Sequence, residues 1–179
     1  MPDKLVYLMR GLPACGKSHM AQRLVGDAGI ILETDQFFVR QNSAGAMIFD
    51  YREEQLAAAR EWIFKRFQQA IAEGRSPIAL DRGNGRNAVT RRFAQYAVEH
   101  GYVVELKEPD SDWWLEIKRL MRDRPQTNPQ LAEWATRLAE MSRATHRVPL
   151  DTIQNWMDAW YPDLTVEDIL NNGCAAEAR

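Results

Sequence analysis

The sequence is poor in cysteine and has no long apolar run. Its 179 residues include two cysteines, Cys15 and Cys174, which are too few for a disulfide framework, so we expect a reducing, cytoplasmic compartment. No stretch approaches the roughly 20 apolar residues that cross a bilayer. Near the start, residues 5–9 form a short apolar run without a small-residue cleavage site. This run predicts a buried strand rather than a signal peptide.

The chain also lacks a strong net charge. Its 23 basic and 25 acidic residues give a formal net charge of −2, which argues against a protein that coats nucleic acid through bulk charge. Most of the basic residues are arginines, and many of these lie between Arg82 and Arg147. Arginine makes planar, bidentate contacts with phosphate that lysine does not make. For any single arginine, a position on a solvent-exposed helix face or an arginine-rich genome is as good an explanation as phosphate binding.

The overall composition is that of a folded domain. Hydrophobic residues make up 45% and charged residues 27% of the chain, close to the globular average. A chain of this length buries a substantial core and forms one ordinary domain. We therefore treat residues 1–179 as a single domain.

Strand and helix patterns alternate along the sequence. Short apolar runs that predict strands lie at 4–9, 29–32, 77–80 and 102–106. Apolar residues recur with helical spacing at 51–73, 88–100, 113–122, 130–143 and 149–160. Residues 41–47 are small and polar and predict a mobile loop. The alternation predicts an α/β fold with a parallel sheet of four to five strands and helices on both faces.

A phosphate-binding loop follows the first predicted strand. Residues 11–18, GLPACGKS, match the Walker A pattern G-x-x-x-x-G-K-[ST] and lead into a predicted helix. The backbone N–H groups of such a loop and the positive end of its helix form a cradle for anions. Lys17 is expected to reach the β- and γ-phosphates of ATP, and Ser18 to ligate Mg²⁺. The residues predicted to bind the nucleotide are Gly11, Pro13, Ala14, Cys15, Gly16, Lys17, Ser18 and His19.

Two residues of this loop are unusual. Ala14 stands where glycine is frequent, which narrows the backbone angles available there. Cys15 lies near a helix N-terminus, which would lower its pKa and make the thiol oxidisable. A small residue tolerated in the loop is the interpretation we favour for Cys15.

Two aspartates end predicted strands. Asp35 follows the second strand and Asp81 the third. Ligands of an open parallel sheet lie beyond the carboxyl ends of its strands, so both carboxylates are expected to face the nucleotide phosphates. One acid would order Mg²⁺ through water, and the other would accept or orient the proton of an attacking hydroxyl. A helix cap is the alternative for either residue.

Five segments carry a resemblance to a known family. In order they are LVYLMRGLPACGKSHMAQRL, LETDQFF, ALDRGN, GYVVELKEP and SRATHRVPLDTIQNWMDAW. Together they resemble the P-loop kinases related to bacteriophage polynucleotide 5′-hydroxyl kinase, the AAA-domain kinase-like proteins close to it and, more distantly, the zeta toxins. The resemblance covers residues 4–160. It implies a P-loop NTPase-type sheet with a helical lid at about 115–147.

The resemblance also implies roles for single residues. It assigns activation of the acceptor hydroxyl to Asp35 and keeps Asp81 as the acid that orders the metal. The lid arginine that neutralises the transferring phosphoryl group falls on Arg143, with Arg147 as a second candidate. Two arginines in the loop after Asp81 are candidates for holding an anionic acceptor, Arg82 and Arg86.

These observations predict an ATP- and Mg²⁺-dependent phosphotransferase. By resemblance, the expected acceptor is the 5′-hydroxyl of a polynucleotide, and a small hydroxyl compound or nucleotide-sugar is the alternative. A nucleotide-dependent switch with slow hydrolysis is a further alternative, for which Gln36 is the obvious residue to position water. The expected partners are ATP and the acceptor, without a membrane. The oligomeric state is left open.

Overall fold

The computed structural model describes residues 3–123, 128–145 and 147–171. Its strands are β1 (Leu5–Met9), β2 (Ile30–Leu32), β3 (Val39–Gln41), β4 (Met47–Phe49), β5 (Ile78–Asp81) and β6 (Val103–Lys107). Four of them form a parallel sheet in the order β2-β5-β1-β6, and β3 pairs with β4 in a separate antiparallel hairpin. Cys174 and parts of the predicted lid, residues 124–127 and 146, lie outside the described residues.

Seven α-helices occur in the described ranges. They are α1 (Lys17–Val25), α2 (Leu56–Ala72), α3 (Ala88–Glu99), α4 (Asp112–Arg122), α5 (Pro129–Ser142), α6 (Leu150–Asp158) and α7 (Val166–Leu170). In this part of the chain, no helix is both long and apolar enough to cross a membrane. The predicted α/β class, with a parallel sheet and helices on both faces, is confirmed.

The two faces of the sheet bury alternate residues of its strands. Successive side chains of a strand point to opposite faces. Val6 and Leu8 of β1 therefore pack with α2, α3 and α7 in the larger core. Met9, with Tyr7 partly buried beside it, packs against α1 on the opposite face. Because both faces of β1 are covered, successive residues of this strand are apolar, and they form a continuous apolar run in the sequence.

Two predicted elements differ from the structure. The predicted loop at 41–47 is mostly the turn of the β3–β4 hairpin, since the Asn42 side chain accepts hydrogen bonds from the N–H groups of Ala44 and Ala46 at 3.0 and 2.9 Å. The predicted helix at 51–73 begins at Leu56, after a 3-10 turn. The ring of Tyr51 packs on Phe38 instead, with centroids 5.0 Å apart.

A second hydrophobic core lies among α4, α5 and α6. Its fully buried members include Trp114, Ile117, Leu138 and Ile153. The phosphate-binding loop contributes two buried side chains to this core, Leu12 and Cys15. The described part of the segment predicted as a lid is thus largely helical and packs behind the loop.

A buried arginine joins the end of β1 to the segment after α6. Arg10 is 1% exposed, and its Nη2 donates to the carbonyl oxygen of Tyr161 at 2.7 Å. Its guanidinium lies 4.0 Å from the ring of Trp160, and its Nε lies 3.6 Å from Oε1 of Glu108. Burial lowers the pKa of Arg10 to about 10. The start of the phosphate-binding loop is therefore fixed to the second core as well as to the sheet.

The larger core generates a test of the fold. Phe67 of α2 is fully buried, and its ring centroid lies 5.1 Å from that of Phe93 on α3. We expect Phe67→Ala to lower the free energy of unfolding by about 3–5 kcal/mol, because it removes buried apolar area and leaves a cavity. Urea denaturation measures this change. Val98→Ala on α3, where Val98 is 47% exposed, is the control and should change stability by less than about 0.5 kcal/mol.

Candidate active site

The phosphate-binding loop opens into a cavity of about 860 Å³. Three other parts of the chain also line it: the carboxyl ends of β2 and β5, the segment around β4, and the helices of the second core with the segment before α6. The residues that line the cavity are Gly11, Pro13, Ala14, Gly16, Lys17, Ser18, His19, Glu33, Thr34, Asp35, Phe49, Tyr51, Glu53, Asp81, Gly83, Trp113, Thr145, Arg147, Val148, Pro149, Thr152 and Trp156.

The loop backbone adopts a positive φ at three positions, one of which is Gly11 with φ 153°. Gly16, immediately before α1, has φ 98°, and Ala14 has φ 58°. Glycine adopts this region without penalty, whereas alanine pays about 1 kcal/mol or more. The departure from glycine noted at Ala14 is therefore a point of backbone strain within the loop. Such strain persists where the surrounding packing fixes the backbone.

Lys17 bends back over the loop. Its Nζ donates to the carbonyl oxygens of Gly11 at 2.8 Å and Leu12 at 3.0 Å. Asp81 pairs with Met9 in the register of β5 and β1, which puts its Oδ2 4.0 Å from Lys17 Nζ. The ammonium and this carboxylate thus share the cavity at the carboxyl end of the sheet.

The end of β2 brings two acids to the same cavity. Glu33 follows β2 directly, and its Oε1 accepts a hydrogen bond from Ser18 Oγ at 3.3 Å. Asp35 lies in the short 3-10 helix Thr34–Phe38 and lines the cavity with Lys17. Glu33 was not among the predicted site residues. The signal that pointed to Asp35, an acid at a strand end, applies to Glu33 as well.

The oxygen donors at this end of the cavity fit Mg²⁺. The hydroxyl of Ser18 and the carboxylates of Glu33 and Asp81 are hard ligands, which this ion prefers. Within the described ranges, no group of three or more His, Cys, Asp or Glu side chains could hold a metal by itself. Mg²⁺ is usually held by one or two side chains together with phosphates and water, and this donor set matches that mode.

The two arginines predicted to hold an acceptor point elsewhere. Arg82 donates to the carbonyl oxygen of Asp81 and to Oγ1 of Thr34, the latter at 3.2 Å. Its guanidinium lies 4.7 Å from the ring of Phe93, and desolvation lowers its pKa to about 10. Arg86 lies 4.6 Å from the ring of Tyr161. Neither lines the cavity, and Arg82 instead supports the turn that carries Asp35.

The two candidate lid arginines are placed differently. Arg147 lines the cavity and has φ 48°. Its N–H donates to the carbonyl oxygen of the buried Ser142 at 2.8 Å, and the N–H of Val148 donates to Ser142 Oγ at 3.3 Å. Arg143 is exposed at the end of α5 and does not line the cavity. The structure thus places Arg147, rather than Arg143, at the site.

The N-terminus of α4 holds the loop through its backbone. Trp113 lines the cavity and donates from Nε1 to the carbonyl oxygen of Ala14 at 3.1 Å. Ser111, the N-cap of α4, donates from Oγ to the carbonyl oxygen of Cys15 at 2.9 Å. The adjacent Trp114 is fully buried in the second core. Adjacent helix residues face different directions, so these two tryptophans have separate roles.

Cys15 is a core residue rather than an activated thiol. Its side chain is fully buried beside Leu12 and does not line the cavity. Burial raises the pKa of Cys15 from 9.0 to about 12, and the nearby charge of Lys17 offsets only part of this effect. The expectation that the helix N-terminus lowers this pKa is wrong, because desolvation is the larger effect.

Several lining residues carry no sequence motif. Phe49 ends β4, Tyr51 and Glu53 follow this strand, and Thr152 and Trp156 come from α6. These residues lie far from the loop in sequence. Their place at the site depends on how the hairpin and the second core pack against the sheet, which a local pattern does not reveal.

The burial of Cys15 predicts slow thiol chemistry. In a Cys174→Ser background Cys15 is the single thiol, and we expect native protein to react with iodoacetamide at least about a hundredfold more slowly than urea-unfolded protein at mildly alkaline pH, since the thiolate is disfavoured. Because the folded pKa lies above the unfolded one, the thiol's contribution to stability is complete below about pH 9 and is lost as the pH rises toward 12. Cys15→Ala should remove this part of the alkaline loss in urea titrations. Equal labelling rates of native and unfolded protein would contradict the assignment.

Comparisons with known proteins identify a family and several relatives. A family model described as "AAA domain" matches residues 6–144. Human NEDD4-binding protein 2 is 34% identical over 120 residues, which cover 66% of this chain and 6% of that protein. Human YLP motif-containing protein 1 is 27% identical over 190 residues, which cover 93% of this chain and 9% of that protein. The chain therefore spans less than a tenth of the length of these two curated relatives.

A solved structure, shikimate kinase from Acinetobacter baumannii in complex with shikimate, aligns with 96% of this chain and 90% of its own, at a TM-score of 0.34 and 14% identity. This likeness is too distant to bear on function. The family model, by contrast, covers most of the chain and includes the GLPACGKS loop, β1, β2, β5 and β6. The chain belongs to the AAA-domain family.

Proposed function

We propose that the protein transfers the γ-phosphate of ATP to a hydroxyl group. The observation that carries the proposal is that Lys17 of the phosphate-binding loop and the carboxylate of Asp35 line one cavity. Catalysis of phosphoryl transfer depends almost entirely on positioning and on electrostatic stabilisation. A cation that contacts the phosphates and a carboxylate that contacts the acceptor, in one cavity, would supply both.

The loop and its neighbours bind the triphosphate in this proposal. The loop backbone and the start of α1 provide N–H donors, and Lys17 exchanges its contacts with the loop carbonyls for the β- and γ-phosphates. Ser18 and Asp81 are the residues that would hold Mg²⁺, which would neutralise charge on the phosphates. The hydrogen bond from Ser18 to Glu33 directs the hydroxyl proton away and leaves the oxygen lone pairs for the metal.

Asp35 and Arg147 act on the transferring group. Asp35 orients the acceptor hydroxyl and accepts its proton as the bond to phosphorus forms. Arg147, held by its hydrogen bond to Ser142, stabilises the negative charge on the equatorial oxygens. Both residues line the cavity, which supports these roles.

We propose the 5′-hydroxyl of a polynucleotide as the acceptor. The sequence resemblance to polynucleotide 5′-hydroxyl kinase supports this choice. The cavity volume of about 860 Å³ lies near the upper end of the range for ligand sites, which leaves room for the end of a strand beside ATP. A small hydroxyl compound is the alternative acceptor.

The switch interpretation receives no support from Gln36. Its amide nitrogen donates to the carbonyl oxygen of Ile31 at 3.2 Å, and its amide oxygen accepts from Arg66 Nη1 at 2.8 Å. Gln36 does not line the cavity. A residue held in this way is not placed to orient water at the γ-phosphate.

The role of Asp35 generates the main test of the activity. We expect Asp35→Asn to lower the rate of phosphate transfer from radiolabelled ATP to a 5′-hydroxyl oligonucleotide by about 10²- to 10⁴-fold, because the amide does not accept the hydroxyl proton. Binding of ATP, measured by titration calorimetry, should stay within about threefold of wild type. Lys17→Ala should lose both binding and transfer.

Asp27→Asn is the matched control for this test. Asp27 is an exposed acid in the turn after α1 and does not line the cavity, so the same chemical change there should leave transfer unaltered. Full transfer by Asp35→Asn would exclude the proposed role of Asp35. Wild-type transfer to a small alcohol but to no oligonucleotide would select the alternative acceptor.

The placement of the two lid arginines generates a second test. We expect Arg147→Ala to lower kcat for transfer by about 10²- to 10³-fold, since one stabilising donor is lost in the transition state. Arg143→Ala, the same change at an exposed residue that does not line the cavity, should lower kcat by less than about threefold. A larger loss in Arg143→Ala than in Arg147→Ala would reverse the assignment.

A further inference from the structure

Two aromatic rings form a platform in the cavity wall. Phe49 ends β4 and Tyr51 follows two residues later, and both line the cavity. Their rings are stacked, with centroids 6.3 Å apart and planes at 21°. Tyr51 is 50% exposed. We call this pair, Phe49 and Tyr51, the aromatic platform.

The aromatic platform is fixed to the helix that carries Asp35. Phe38, the last residue of that 3-10 helix, is fully buried. Its ring centroid lies 5.0 Å from that of Tyr51 and 6.1 Å from that of Phe49. The N–H of Asp50, between the two platform residues, donates to the carbonyl oxygen of Phe38 at 2.8 Å. Phe38 therefore links the aromatic platform to the 3-10 helix that contains Asp35.

The charge beside the aromatic platform indicates which part of an acceptor it fits. Glu53 lines the cavity two residues after Tyr51. A carboxylate repels a phosphate and accepts hydrogen bonds from amino and hydroxyl groups. The cationic lining residues, Lys17 and Arg147, come from other segments. The platform end of the cavity thus suits a flat, uncharged group with hydrogen-bond donors.

We propose that the aromatic platform stacks the base of the acceptor's 5′-terminal nucleoside, an inference that rests on the function proposed above. Every nucleobase presents a π-face, and stacking on aromatic side chains is tolerant of sequence. The terminal nucleoside carries its hydroxyl at the 5′ carbon and its first phosphate on the opposite, 3′ side. Base stacking at the platform would therefore present the uncharged end of the strand to Asp35. The enzyme should need a base at the 5′ end and accept any of the four.

The experiment combines a variant of Tyr51 with an acceptor that lacks the terminal base. We compare kcat/KM for two otherwise identical oligonucleotides, one with a normal and one with an abasic 5′-terminal residue. Wild type should lose about tenfold on the abasic acceptor. With the normal acceptor, Tyr51→Ala should have a kcat/KM about tenfold below that of wild type. With the abasic acceptor, its kcat/KM should fall little further. Tyr51→Trp, which keeps an aromatic face, should restore the difference.

Met47→Ala is the control variant. Met47 lies on β4 with Phe49, is 66% exposed, and does not line the cavity, so its truncation should leave the tenfold preference intact. Circular dichroism checks that each variant is folded. The KM for ATP should be the same in wild type and Tyr51→Ala.

Binding provides a readout that does not depend on transfer. An oligonucleotide with 2-aminopurine at its 5′ end should lose fluorescence on binding wild type and keep it with Tyr51→Ala. Equal transfer to normal and abasic acceptors by wild type would overturn the platform while leaving the kinase activity. A raised KM for ATP in Tyr51→Ala would also overturn it, by assigning the platform to the nucleotide. Quenching without transfer would instead overturn the proposed activity and support the platform.

Discussion

The site depends on how the phosphate-binding loop is held from behind. Leu12 and Cys15 project from the loop into the second core, while the same stretch of backbone faces the cavity. Trp113 and Ser111 bind two of its carbonyl oxygens. Donors that are already oriented stabilise charge without a reorganisation cost at the moment of reaction. Apolar burial on one side of the loop thereby supports anion binding on the other.

The order of the strands distributes charge along the floor of the cavity. Asp81 ends β5, the direct neighbour of β1, and lies within 4.0 Å of the Lys17 ammonium. Glu33 and Asp35 follow β2, one strand further out. In the proposed reaction, Asp81 would act with the metal and phosphates, and Asp35 would act on the acceptor. Because β5 and β2 are adjacent, metal binding and acceptor activation would be separated by about one strand spacing.

Local signals in the sequence predicted the loop, the four parallel strands and the acids at their ends, because each depends on nearby residues and on a fixed periodicity. The pattern failed where distant contacts decide the structure. The small polar residues at 41–47 form a hairpin turn because Asn42 binds the turn backbone, and Tyr51 packs on Phe38 rather than starting α2. Cys15 shows the same limit in its chemistry, since burial in a core assembled from three later helices sets its pKa.

The clamp of Ser142 on Arg147 and Val148 has a consequence for how the site responds to its surroundings. The same three-helix core contacts the loop through α4 and holds Arg147 through Ser142, the last residue of α5. In the proposed reaction, the distance from Arg147 to the phosphates would therefore depend on how this core is packed. Truncation of Ile153, which does not line the cavity, would then lower the rate of phosphate transfer, because the three helices would pack closer together.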